Sequence, residues 1–216
     1  MKTTIMTGLV LAVLVLPIAT QAQEDHSQHD MSTMTEQPGA EGAGKAYMDG
    51  MSKMNRDMNA VMTGDADIDF ATMMIPHHQG AIDMARVQLE FGKDPELRKL
   101  SEAVISAQER EVSFLKSWLE KHPAPAGGSE HAMHTPAAMA YMAGMKTMSA
   151  DMNAAMTGDA DIDFVAMMIP HHQGAIDMAK VQLEHGKDAE LRKLSEEIIK
   201  AQQSEIAFMK GWLAKH

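Results

Sequence analysis

The stretch Met73-Met74-Ile75-Pro76-His77-His78-Gln79-Gly80-Ala81-Ile82-Asp83-Met84-Ala85 places two imidazoles among three thioethers, and it returns 94 residues later with Met167, Met168, His171, His172 and Met178. Thioether sulfur selects Cu(I), and imidazole also accepts Cu(II), Zn(II) and Ni(II). A hard cation such as Ca²⁺ or Mg²⁺ wants a cluster of oxygens, which neither copy offers. Met73 and Met74 stand four and three residues before His77, the spacings that let side chains meet on one helical surface. At 100° per residue His78 falls instead with Ile75, Ile82, Ala85 and Leu89 on the main apolar face.

A second sulfur source precedes the histidines. Met48, Met51, Met54, Met58 and Met62 are spaced by three, three, four and four, which is one face of a helix. Met142 and Met145 repeat the start of that pattern. A core that needed only volume would use Leu, because Met specifies packing poorly. The expected metal ligands are therefore Met73, Met74, His77, His78 and Met84 with Met48 and Met51, and in the second copy Met167, Met168, His171, His172 and Met178 with Met142 and Met145. Each copy is expected to carry a site of its own, so at least two equivalents of Cu(I) per chain, with Cu(II) or Ag(I) as alternatives. His78 also needs a partner on the apolar face. Glu111, one turn beyond Gln108 on the following helix, is expected to supply it, as Glu205 does for His172. A structural role and a metal role for the His78–Glu111 pair stay open at this point.

These residues sit in a duplication. Residues 47–122 align without a gap to 141–216, with about 55 of 76 positions identical. Each copy reads as three helices. The first spans roughly 46–62 and is closed by Thr63-Gly64-Asp65. The second runs from a cap at Asp65 or Asp67 to about Phe91, and the third from Asp94-Pro95 to about Lys121. Pro76 falls inside the second helical pattern; it either kinks that helix or marks its true start. No stretch alternates like a strand. The class is all-α, a helical bundle built from two tandem three-helix repeats (45–122 and 139–216); the second and third helices of each form a hairpin, and the repeats either stand as two similar modules or pair as one pseudo-symmetric bundle. Residues 123–138 read as a Pro/Gly/Ala linker carrying His131, Met133 and His134, and residues 23–44 as a polar segment with His26, His29, Met31 and Met34.

The N-terminal residues 1–22 read as a signal peptide. Lys2 precedes an apolar run at residues 5–18 that is short for a membrane span, and Thr20-Gln21-Ala22 fits cleavage near Ala22. The expected location is the periplasm, with no membrane insertion after cleavage. Cys is absent while Met reaches 23 residues. In an oxidising compartment thioethers keep their metal chemistry where thiols would pair. The net charge of −11 repels phosphate backbones and excludes nucleic acid as a natural partner. The expected partners are metal ions and a copper-handling protein; a homo-oligomer is left open. No Cys nucleophile and no Gly-x-Ser-x-Gly motif occurs, so no enzyme activity is expected. The rivals are a structural or interaction module without metal and a ferritin-like di-metal oxidase; the latter needs Glu-x-x-His, which the chain lacks.

The segment DIDFATMMIPHHQGAIDMA, returning as DIDFVAMMIPHHQGAIDMA, closely resembles the domain-of-unknown-function family 305. That resemblance covers nearly the whole of each repeat. It implies a ferritin-like helical bundle and kinship with periplasmic copper-binding proteins linked to copper resistance. By position it points to Met74, His77, His78 and Met84, and to Met168, His171, His172 and Met178. The expected function is sequestration or carriage of Cu(I) in support of copper tolerance.

Overall fold

The computed structural model describes residues 42–59, 62–124, 132–152 and 156–216; the expected signal peptide and the polar segment to residue 41 lie outside them. Six α-helices follow in order: α1 (Ala43–Asp57), α2 (Ala66–Phe91), α3 (Pro95–Lys121), α4 (Pro136–Asp151), α5 (Ala160–His185) and α6 (Ala189–Leu213). A 3-10 turn, Ala132–His134, precedes α4. No strand occurs among the described residues, and no described helix is long and apolar enough to cross a membrane.

The start signals are local. Asp65 accepts from the amides of Asp67 and Ile68 and starts α2; Asp94 accepts from Glu96 and Leu97 and starts α3 with Pro95 in its first turn. The first helix stops at Asp57, earlier than the Met spacing predicts. A carboxylate in the next helix explains the turn that follows. Asp69, nearly fully buried, accepts 2.7 Å bonds from the amide and hydroxyl of Thr63 and a 3.0 Å bond from the Gly64 amide. Gly64 takes φ +82°, a conformation glycine adopts without a Cβ clash. Met58 and Met62 remain in the core although they lie beyond the helix. Pro76 lies well inside α2, eleven residues past the Asp65 cap, and the helix continues through it. In the second copy α4 begins at Pro136, within the stretch read as linker, with Thr135 as its cap.

The two hairpins, α2–α3 and α5–α6, meet through α2 and α5, which run antiparallel at the centre. α1 packs on α2 and reaches α5, while α4 packs on α5 and reaches α2. The hairpins are clamped reciprocally at both ends. Asp161 at the start of α5 accepts from Gln88 Nε2 at 2.5 Å and from the Lys93 amide at 3.0 Å, at the α2–α3 corner. Asp67 at the start of α2 does the same for Gln182 (2.6 Å) and Lys187 (3.0 Å). Tyr47 donates to the Ala160 carbonyl and Tyr141 to the Ala66 carbonyl, each at 3.2 Å. Burial first, then nearby aspartates, pushes both phenols far above their ordinary range, so they act as donors. The repeats are therefore halves of one bundle related by a pseudo-two-fold axis, and that axis passes beside His77 and His171.

Candidate metal centre

His77 and His171 meet on that axis. Both side chains are fully buried, and their ring centroids are 3.9 Å apart. His77 Nε2 lies 3.2 Å from the sulfur of Met148, and His171 Nε2 lies 3.2 Å from the sulfur of Met54. Each imidazole thus meets a thioether from the other repeat. Two nitrogen–sulfur pairs flank this ring contact in a dry interior; Met54 and Met148 are 3% and 4% exposed.

The backbone makes room for the sulfurs at one position per repeat. A Cβ on Gly80 would stand 2.5 Å from Met54 Sδ and 3.3 Å from His171 Nε2; on Gly174 it would stand 2.6 Å from Met148 Sδ and 3.3 Å from His77 Nε2. Gly80 and Gly174 lie three residues after His77 and His171 on α2 and α5, so each glycine seats the sulfur–imidazole pair that the opposite histidine completes. Gly80→Ala should displace the flexible end of Met54 from His171. Alanine suits a helix interior better than glycine by roughly 0.5–1 kcal/mol. Overpacking a core costs about 1–3 kcal/mol, more than the helix gains, so the variant should lower the melting temperature of the metal-free protein modestly and weaken Cu(I) binding by about tenfold. Calorimetry and a chelator competition read the two effects separately. Unchanged affinity would show that the glycine spares space for packing alone.

The imidazoles of the centre are held neutral. Burial first, then nearby histidines (His171 and His78 for His77, His172 and His78 for His171), pushes both well below the ordinary imidazole range. Their Nδ1 atoms have no hydrogen-bond partner among the described residues. A buried polar group without a strong partner costs about 1–3 kcal/mol, and thioether sulfur is only a weak acceptor. Two such imidazoles facing two sulfurs are a poor arrangement for stability and a good one for ligation.

His78 and His172 point elsewhere. The rings of His77 and His78 are 6.3 Å apart, centroid to centroid. His78 Nε2 lies 2.7 Å from Glu111 Oε2, and His172 Nε2 lies 2.7 Å from Glu205 Oε2. The expected partnership is present in both copies. The carboxylates are not fully buried: the Glu111 and Glu205 side chains are 22% and 23% exposed. Gln108 and Gln202 are buried one turn earlier on α3 and α6.

Of the other expected ligands, Met73, Met74, Met84, Met167, Met168 and Met178 are buried core residues, and so is Met51; Met48, Met142 and Met145 are partly exposed on α1 and α4. Among the described residues, the sulfurs at hydrogen-bonding distance from an imidazole are those of Met54 and Met148. Helical spacing pairs His77 with Met73 and Met74 of its own helix, whereas the fold pairs it with Met148 of the other copy. The His77 and His171 rings of the two repeats meet beside the pseudo-two-fold axis. No group of three or more His, Cys, Asp or Glu suited to a metal occurs among the described residues. Thioether sulfur and imidazole nitrogen are soft to borderline donors.

The sequence matches the DUF305 family, a domain of unknown function, over residues 18–119 and again over 67–213. Among solved structures, the fold is similar to CopM in its Cu(I)-bound form, with a TM-score of 0.53 and 34% identity over 69% of this chain and 96% of that one. CopM in its Cu(II)-bound form matches with a TM-score of 0.52 at 34% identity, over 69% of this chain and 97% of that one. A DUF305 protein from Streptomyces coelicolor, named as a candidate secreted protein, matches with a TM-score of 0.57 and 28% identity over 71% and 94% of the two chains. No curated protein sequence matches. With the MIPHH segment present twice on paired helices, and family matches that together span both repeats, this chain belongs to the DUF305 family.

Proposed function

We propose that the protein sequesters or carries Cu(I), holding it between the two repeats with Met54, His77, Met148 and His171. The observation that carries this reading is the quartet itself: two buried, neutral imidazoles, each 3.2 Å from a thioether of the opposite repeat. The copper-bound forms of CopM support the choice of metal. The charge of the ion supports it too. All four donors are neutral, and the cost of burying an ion grows with the square of its charge, so a divalent ion costs about four times as much as a monovalent one in the same cavity. His78 and His172, paired with Glu111 and Glu205, brace the helices that carry the ligands. The protein binds and releases its ion and is not read as an enzyme. Lys2, the apolar run at 5–18 and Thr20-Gln21-Ala22 support export to the periplasm.

Anaerobic competition with a Cu(I) chelator should show one tight equivalent at the quartet, lost in the Met54→Leu/Met148→Leu variant. Zn(II) should bind that centre at least about a hundredfold more weakly, a gap of about 2.8 kcal/mol. Equal affinity for Zn(II) and Cu(I) would refute the thioether reading.

A further inference from the structure

All four donors of the centre are buried, so an ion needs a way in. The sulfurs of α4 mark one. Met139, Met142, Met145 and Met148 follow one another at intervals of three residues. Each such step advances about 4.5 Å along the axis and turns the side chain back by about 60°. Three steps turn half a circle. The stripe therefore winds from the solvent face of α4 to its core face, and burial follows it: Met139 is 50% exposed, Met142 and Met145 are partly buried, and Met148 is 4% exposed against His77. A stripe serving the core alone would hold to one face with a period near 3.6 and would be buried throughout.

The first repeat offers a comparison inside the same molecule. The counterpart of Met139 is Lys45, which is exposed and paired with Asp49 at 2.5 Å. On α1 the sulfurs begin at the partly buried Met48 and continue through Met51 to Met54. Sulfur reaches the open surface on α4 and not on α1 among these equivalent positions.

We propose that Met139, Met142 and Met145 form an entry ladder of exchangeable thioethers, along which a soft monovalent cation passes from solvent to the centre. This rests on the reading of the quartet as a Cu(I) site. At each step the ion exchanges one neutral sulfur ligand for the next, without change of oxidation state. Neighbouring thioethers on the stripe lie within side-chain reach of one another, because residues three apart on a helix have Cβ atoms about 5–6 Å apart.

The test compares the full chain with its Met139→Leu/Met142→Leu/Met145→Leu variant. Leucine conserves volume, so folding should be retained, which circular dichroism verifies. Cu(I) is delivered anaerobically as its bicinchoninate complex, and transfer is followed by the loss of that colour. The variant should load roughly tenfold more slowly and reach the same final affinity and stoichiometry. Conversely, Lys45→Met should open a second entrance and accelerate loading. Loading of the leucine variant at the parent rate would overturn the ladder. So would loss of a bound equivalent, because the three sulfurs would then hold a resident ion. Failure of the site reading itself looks different: the His77→Ala/His171→Ala variant would then bind Cu(I) as tightly as the parent.

Discussion

Replacing His77 and His171 together with alanine is expected to weaken Cu(I) binding by more than about a hundredfold while the metal-free protein stays folded. Both nitrogen donors leave, and Met54 and Met148 alone keep no fixed partner at Nε2 distance. The fold should tolerate the change because neither imidazole makes an ion pair among the described residues; each ring faces a thioether and the backbone of the opposite histidine. What is lost is ring volume on the axis, in a core held by Phe70, Phe164, Tyr47 and Tyr141 and clamped at both ends by Asp67 and Asp161. The same two histidines fix a pH dependence. Their folded pKa values are depressed, whereas in the unfolded chain they titrate near about 6.5. The unfolded state therefore binds more protons below that value, and the metal-free protein should lose stability as pH falls through and below it. The double alanine variant should show a shallower loss, measured by thermal melts across that window.

His78→Ala should do the opposite: lower stability and leave Cu(I) affinity nearly unchanged. His78 is fully buried, and its loss strands the Glu111 carboxylate. Breaking a fully buried pair costs roughly 3–5 kcal/mol. Glu111 keeps some contact with water, which brings the expected cost down to about 1.5–3 kcal/mol, the range of hydrogen bonds to charged groups. For a chain of this size that is a fall of roughly 3–12 °C in melting temperature. His78→Gln, which can still donate to Glu111, should recover part of it. The contrast between His172→Ala and His171→Ala should run in parallel. A His78→Ala protein that melts like the parent but no longer binds Cu(I) would make His78 a ligand and the proposed division between the two histidines wrong.

The different placement of His77 and His78 was legible in the sequence because it follows from helical geometry alone. A 100° turn separates His77 from His78, and the apolar pattern identifies the face that His78 joins. The start of α3 was legible for a similar reason, since Asp94 and Pro95 act within one turn. The histidine–methionine pairs were not. His77 and Met148 are 71 residues apart and His171 and Met54 are 117 apart, and no periodicity reports which repeat supplies a neighbour across a pseudo-two-fold axis. Gly80 and Gly174 were the available hint. A glycine inside a helix, three residues past a histidine and present in both copies, marks close approach by something large. The early end of α1 was hidden because its sulfur spacing continues past the helix, while the carboxylate that organises the turn, Asp69, belongs to α2. Pro76 could not be resolved by pattern either, since a capped helix held by packing on both sides continues through it.

The ion is proposed to sit on the axis between the repeats, and its location tests this more directly than its affinity does. Crystals loaded anaerobically with one equivalent of Cu(I), measured at the copper edge, should give an anomalous-difference peak bounded by Met54, His77, Met148 and His171. The corresponding Ag(I) crystals should give a peak at the same place. A peak beside His78 and Glu111, or two peaks confined to Met73, Met74 and Met84 and their counterparts Met167, Met168 and Met178, would rule out binding on the axis.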